Sequence, residues 1–247
     1  MKSGVDLGGV RVIDADRDQV IKEICSGPDG RPRLCFALHV GGLNVLKNDE
    51  YRTALEQSDL TYADGAAVVL LARMAGARNV ERSATTDIGY EVLSEYARRL
   101  ERPVRLAIIG GQPGLADAAG CVLALRLPIL TVFTHHGYEE QWDDVLGGLA
   151  AARPDIVLVA MGVPAEAVWC SKYREHLPQC VVLTCGGWLG FIVGAERRAP
   201  RLFQSLSMEW VFRTIQRPSL AIRYGVGILS TVRIAVGIWS SRLRVRS

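Results

Sequence analysis

Val104-Arg-Leu-Ala-Ile-Ile-Gly-Gly111 decides how the rest of the chain is read. An apolar run of this length ending in a glycine pair has the composition of a strand buried on both faces, the kind found in parallel sheets under helices. Runs of the same type recur at Leu34–Val40 (LCFALHV), Leu60–Ala63, Ile129–Phe133, Asp155–Met161 (DIVLVAM) and Val181–Cys185 (VVLTC), with a shorter one at Val10–Ile13. Helical patterns separate them at intervals of roughly 25–35 residues, which predicts an α/β protein with a Rossmann-like parallel sheet covered by helices.

Nearly every strand ends in glycine: Gly41-Gly42, Gly65, Gly110-Gly111, Gly162 and Gly186-Gly187. In a parallel sheet these ends share one edge, where open α/β sheets bind their ligands. Backbone N–H groups exposed by glycine suit a nucleotide diphosphate. A nicotinamide cofactor is disfavoured, because GxGxxG spacing is absent and the strand after Gly110 ends in Thr134-His135-His136 where a ribose-binding acid is expected. Asp64, between a strand and Gly65, is the general-base candidate on position, although an Asp-Gly pair is also ordinary turn chemistry.

Composition narrows the class further. The 247 residues carry a net charge of +3, yet no Asp or Glu follows Glu209, while Arg213, Arg217, Arg223, Arg233, Arg242, Arg244 and Arg246 do. Those seven charges leave residues 1–209 at a net −4. An acidic body with a basic, apolar end points to an anionic partner for that end. The expected domains are therefore a core over 1–209 and a helical, membrane-associating appendage over 210–247. Tyr224–Ser241 is apolar apart from Arg233. A central arginine in a lone span is costly, so a helix in the interface is expected instead of a crossing. Leu202, Phe203, Leu206, Trp210, Phe212 and Ile215 predict a further amphipathic helix.

Two stretches invite a metal reading. Asp14-x-Asp16 has the form of a divalent-ion pair, but it precedes a helical pattern and reads as capping; His135-His136 reads as a loop beside the site. The six cysteines form no CxxC pair and, with four histidines, no zinc spacing, so buried reduced thiols are expected. No apolar leader is visible at the N-terminus, so a cytoplasmic location is expected. A basic stripe with stacking aromatics is absent, so nucleic acid is not an expected partner.

Taken in order, Asn44, Ala63-Asp64-Gly65, Glu81-Arg82, Gly110-Gly111, Gly137-Tyr138, Met161-Gly162-x-Pro164, Gly186-Gly187, Arg198-Ala199-Pro200, Glu209-Trp210-x-x-Arg213 and Pro218–Arg223 resemble the WecG/TagA/CpsF family of bacterial glycosyltransferases over about residues 10–224. The resemblance implies an inverting, metal-independent transfer of a sugar from a UDP-sugar to a polyprenyl-diphosphate-linked saccharide, with no cofactor, at the inner face of the cell membrane. It makes Asp64 the base, with Arg82, Arg213 and Arg223 as catalytic cations. Substrate binding would fall to Asn44, Gly65, Asp87, Gly110, Gly111, Tyr138, Gly162, Pro164, Glu166, Gly186, Gly187 and Arg198. An anionic membrane surface is an implied partner, and assembly as a homo-oligomer is compatible with it.

The chain departs from that pattern at several places. Pro164-Ala165-Glu166-Ala167 stands for Pro-Lys-Gln-Glu, Gly190 for a donor-site acid, bulky Trp188 for a small residue, Gly42 for a threonine and Leu220 for an arginine. A weak or inactive relative that scaffolds polysaccharide assembly through its tail is the alternative reading.

Overall fold

The computed structural model describes residues 3–195, 214 and 220–246. The chain opens with a small antiparallel hairpin, β1 (Gly4–Asp6) and β2 (Arg11–Ile13), of which the sequence reading caught only the second strand. It continues as α1 (Arg17–Ile24), β3 (Arg33–Leu38), α2 (Val40–Asn44), α3 (Asp49–Glu56), β4 (Leu60–Ala63), α4 (Ala66–Met74), α5 (Thr85–Leu100), β5 (Val104–Gly110), α6 (Leu115–Ala124), β6 (Ile129–His135), α7 (Asp143–Ala152), β7 (Ile156–Ala160), α8 (Ala165–Lys172), β8 (Val181–Thr184) and α9 (Trp188–Ile192). A single tail helix, α10, spans Leu220–Arg246.

Six strands form one parallel sheet in the order β4-β3-β8-β7-β5-β6. Every residue of β4, β7 and β8 is buried, as expected of strands covered on both faces. One core layer gathers Phe36, Leu38, Val68, Leu71, Val157 and Val159; the other holds Tyr62, Ile88, Val92, Leu106, Leu158 and Trp188. The buried thiols of Cys25, Cys35 and Cys180 are pushed by desolvation up to about 12, which makes them inert packing groups.

The acids before α1 cap and brace. Asp16 is the N-cap of α1, its Oδ1 accepting the Gln19 N–H at 2.8 Å. The Asp14 carboxylate accepts the backbone N–H groups of Arg78 (3.0 Å) and Asn79 (2.7 Å), tying the hairpin to the loop after α4.

Trp188, large where the family pattern has a small residue, is 1% exposed and sits edge-on to Tyr90 at 5.4 Å. Its space is made by Gly89 on α5, where an added Cβ would fall 2.2 Å from the indole Cη2. The bulk is absorbed between α9 and α5, in the core and not in the crevice. Gly89→Ala is therefore expected to overpack this contact and cost about 1–3 kcal/mol, read as a lowered thermal midpoint; Trp188→Leu in the same chain should recover part of the loss.

The tail helix packs on α2 and α4. Ile234, Ala235 and Ile238 lie against the first core layer, and Gly227 approaches so closely that a Cβ there would fall 2.4 Å from Val40 Cγ2. The opposite face exposes Val226, Leu229, Val232 and Val236, with Arg233 exposed among them. Among the described residues, no helix is long and apolar enough to cross a membrane.

Candidate active site

The strand order lays the predicted residues along one edge in a definite sequence. Asp64 and Gly65 stand at the end of β4, then His39 at β3, Gly186-Gly187 at β8, Gly162 at β7, Gly110-Gly111 at β5, and Gly137-Tyr138 beyond β6. Six strands at their usual spacing make this crevice ~24 Å long, a shape for an elongated substrate.

At the β4 end, Asp64 is half-buried and its N–H donates to the Leu38 carbonyl at 2.9 Å. Gly65 is the N-cap of α4. The loop leading into α5 is strapped to this strand end, the Ser83 N–H donating to the Ala63 carbonyl at 2.8 Å. That bond seats Arg82 next to Asp64 along the backbone. Arg82 Nη2 lies 3.1 Å from Asp87 Oδ2 in the first turn of α5, both side chains about one-quarter exposed. The Arg82 guanidinium is thus aimed by a second acid, on a loop tied to the strand end that carries Asp64. Beneath them, the Tyr62 hydroxyl pairs with Thr85 Oγ1 at 2.7 Å, and burial holds its pKa well above the ordinary phenol value.

The middle of the edge is organised by Glu166. Its carboxylate, on a residue only 3% exposed, accepts the N–H groups of Gly162 (3.0 Å) and Gly186 (3.2 Å), clamping the loops after β7 and β8 together. Pro164 follows a cis peptide bond in the first of these loops. An acid where the family pattern has glutamine still accepts the two amides.

At the far end, Gly110 takes φ +132°, a region that L side chains rarely adopt, and a Cβ there would lie 2.4 Å from the Ala160 carbonyl. The Gly111 N–H donates to the Ala160 carbonyl (3.1 Å), and the Gly137 N–H donates to the Gly111 carbonyl (3.2 Å). Tyr138 is 63% exposed and its hydroxyl receives a hydrogen bond from Gln112 Nε2 at 3.0 Å. The result is a closely packed glycine turn beside an open aromatic ring; the N–H groups of Gly111, Gly137, Gly162 and Gly186 all serve internal acceptors, so the expectation that these glycines present N–H groups to a diphosphate is not met at those four positions. His135, His136 and Glu139 bring possible ligand atoms within 4.8 Å of one another. However, His136 Nδ1 accepts the Tyr138 N–H at 3.2 Å, so the other nitrogen of the neutral ring carries the proton and offers no lone pair. In this arrangement the cluster braces the loop.

Two sequence assignments are relocated. Gly41 and Gly42 lie inside α2, buried, and so contribute to packing and not to a loop. Asn44 ends the same helix, its Oδ1 3.5 Å from where a Cβ on Gly227 of the tail would be, one helix length beyond the strand edge. His39, which the sequence reading passed over as part of a strand, occupies the edge itself. Its only signal was its place near the end of an apolar run, two residues before a glycine pair. Arg198 and Arg213 lie outside the described residues, as does the helix expected between Leu202 and Ile215; of Arg223 the backbone alone is described, within α10.

A polar recess at the opposite edge, lined by Arg31, Gln57, Ser58 and Arg174 among others, is no rival. Arg174 is spent internally, on Asp59 and on the carbonyls of Gln57 (2.8 Å) and Pro32 (2.9 Å).

A parallel sheet with a carboxylate, an aimed arginine and glycine-lined loops along its carboxyl edge has the layout of an α/β enzyme whose site lies at the strand ends. The chain belongs to the glycosyl transferase WecG/TagA/CpsF family, whose pattern matches residues 5–246. It is similar to an N-acetylglucosaminyldiphosphoundecaprenol N-acetyl-beta-D-mannosaminyltransferase of Bacillus spizizenii, 26% identical over 180 residues, which cover 72% of this chain and 68% of the relative. The enzyme of that name from Staphylococcus aureus is 28% identical over 167 residues, 67% of this chain and 64% of the relative. The matched segments thus span about two thirds of the relatives' lengths.

Proposed function

We propose that this chain transfers a sugar from a UDP-sugar to a polyprenyl-diphosphate-linked saccharide, with inversion and without a catalytic metal, in the synthesis of a bacterial cell-surface polymer. The observation that carries the reading is the polarity of the crevice. Its β4 end holds Asp64 and the Arg82–Asp87 pair, with the tail helix packed on the adjoining α2 and α4, and its β5–β6 end is the glycine turn with Tyr138.

In this assignment the nucleotide lies over Gly110, Gly111 and Tyr138, the diphosphate crosses the clamped loops of Gly162 and Gly186, and the donor's reacting carbon reaches the β4 end. The lipid-linked acceptor enters under the tail, whose exposed Val226, Leu229, Val232 and Val236 face the inner leaflet. Asp64 takes the proton of the acceptor hydroxyl as that oxygen attacks the anomeric carbon from the face opposite the diphosphate. Arginine forks stabilise the charge on the leaving diphosphate, a task that Arg82 shares with Arg198, Arg213 and Arg223.

The relatives' names point to N-acetylmannosamine and an N-acetylglucosamine-diphosphate lipid, so with UDP as the proposed carrier UDP-N-acetylmannosamine and that lipid are the first pair to try, with mass spectrometry of the lipid product as the readout. Transfer is expected to persist in excess EDTA. Loss of activity with chelator and its return with Mn²⁺ would show that an ion carries the charge assigned to arginine. UDP binding with neither transfer nor donor hydrolysis, across a panel of UDP-sugars, would favour the scaffold reading.

A further inference from the structure

We infer that His39 is a positioning residue for the proposed base: its Nε2–H stands at the strand edge beside Asp64 and holds that carboxylate ionised and aimed into the crevice. The inference rests on the reading of Asp64 given above and on three observations.

The first is register. β3 and β4 are parallel neighbours with Leu38 opposite Ala63, so His39 and Asp64 are the next facing positions. Leu38 and Ala63 both turn into the first core layer, and side chains alternate along a strand, which sends those of His39 and Asp64 together to the other side. The second is closeness: a Cβ built on Gly65 lies 3.8 Å from both Cα and Cβ of His39. The third is the tautomer. His39 is the N-cap of α2, and its Nδ1 accepts the Gly41 N–H at 2.9 Å. A nitrogen that accepts is unprotonated, so the neutral ring carries its proton on Nε2 and presents a donor to whatever lies beyond.

A five-residue helix does not need an imidazole for its cap, since Asn, Asp or Ser serves better. What histidine adds is the second nitrogen, held at a fixed direction because the first is tied to the backbone. A donor aimed at a carboxylate favours its charged form and restricts its rotation, the service that an orienting group gives a general base or acid. Other titratable groups near the pair include Tyr62 from β4, Cys185 at the end of β8, Arg82 and Asp87 at the entry of α5, and Glu166 beside Gly186; α2 and α9 contribute none.

The first test needs no substrate. Long-range ¹⁵N–¹H spectra of the full chain are expected to show His39 as the Nε2–H tautomer, and Asp64→Asn is expected to lower its pKa by about one unit, because the neighbouring negative charge is removed. An Nδ1–H tautomer, or a His39 titration unmoved by Asp64→Asn, overturns the inference. The second test is kinetic. His39→Asn keeps a cap oxygen for Gly41 but loses the far donor, so the thermal midpoint and UDP affinity should be unchanged. Transfer should fall between about tenfold and about 10²-fold, and the acid limb of the rate–pH profile should move to higher pH, because a carboxylate without its donor holds its proton more tightly. Wild-type turnover by Asp64→Asn would instead remove the base reading itself. If Asp64→Asn is inactive while His39→Asn keeps the wild-type rate and acid limb, the His39 inference alone fails.

Discussion

Asp64→Asn is expected to reduce transfer by about 10²–10⁴-fold, the usual loss when a general base is removed, with the fold and the affinity for UDP unchanged. The substitution keeps the side chain's shape at the end of β4 and removes its capacity to take a proton. Because Asp64 lies near the Arg82–Asp87 pair and far from the glycine turn, donor binding should not register the change. Single-turnover measurement with a saturating donor separates the outcomes. A variant with wild-type turnover would move the base elsewhere, whereas one that binds UDP poorly would place Asp64 on the donor and not on the acceptor hydroxyl.

The second large effect concerns the tail. Truncation before Trp210 is expected to abolish sedimentation with anionic vesicles and most transfer while sparing UDP binding, because the glycine turn lies at the other end of the sheet. Since truncation also uncovers the surface beneath Ile234, Ala235 and Ile238, a gentler variant is informative. Gly227→Leu would collide with Val40 and lift the helix from α2, and it should lose transfer along with the truncation if docking of α10 completes the site. Neutralising Arg242, Arg244 and Arg246 together should weaken vesicle binding by about 10²-fold, from roughly 1 kcal/mol per basic residue near an anionic leaflet. That loss should be smaller at high salt and should spare transfer to a water-soluble acceptor. Arg213→Ala or Arg223→Ala should do the reverse. Full activity of the truncated chain on a soluble acceptor would make the tail an anchor alone and leave the diphosphate charge to Arg82 and Arg198.

The family pattern, the parallel sheet and its glycine-rich carboxyl edge were all legible in the residues. Strands buried on both faces must be continuously apolar, so LCFALHV, VRLAIIGG and DIVLVAM announced themselves without reference to their neighbours. The breaks that glycine makes at strand ends marked the edge in the same local way. Local chemistry also sufficed for Asp16, whose carboxylate caps the donor amide three residues on.

What sequence could not supply were relations between residues far apart in the chain. Gly41-Gly42 resembled a strand-end loop, yet it packs inside α2, because burial against the sheet overrode glycine's weak helix propensity. Gly89 and Trp188 are adjustments to each other across ninety-nine positions, and neither alone indicates where an indole's volume goes. Glu166 read as a substrate contact, but its carboxylate bridges two loops that meet only because β7 and β8 are neighbours. The tail's composition alone determined that it is basic and apolar; the sheet's topology decided that it lies over α2 and α4, at the end of the crevice where Asp64 stands. His39 depends most on the fold, since a histidine ending an apolar run gains its meaning from pairing of β3 with β4, and register between strands is set by tertiary packing and not by either strand's own sequence.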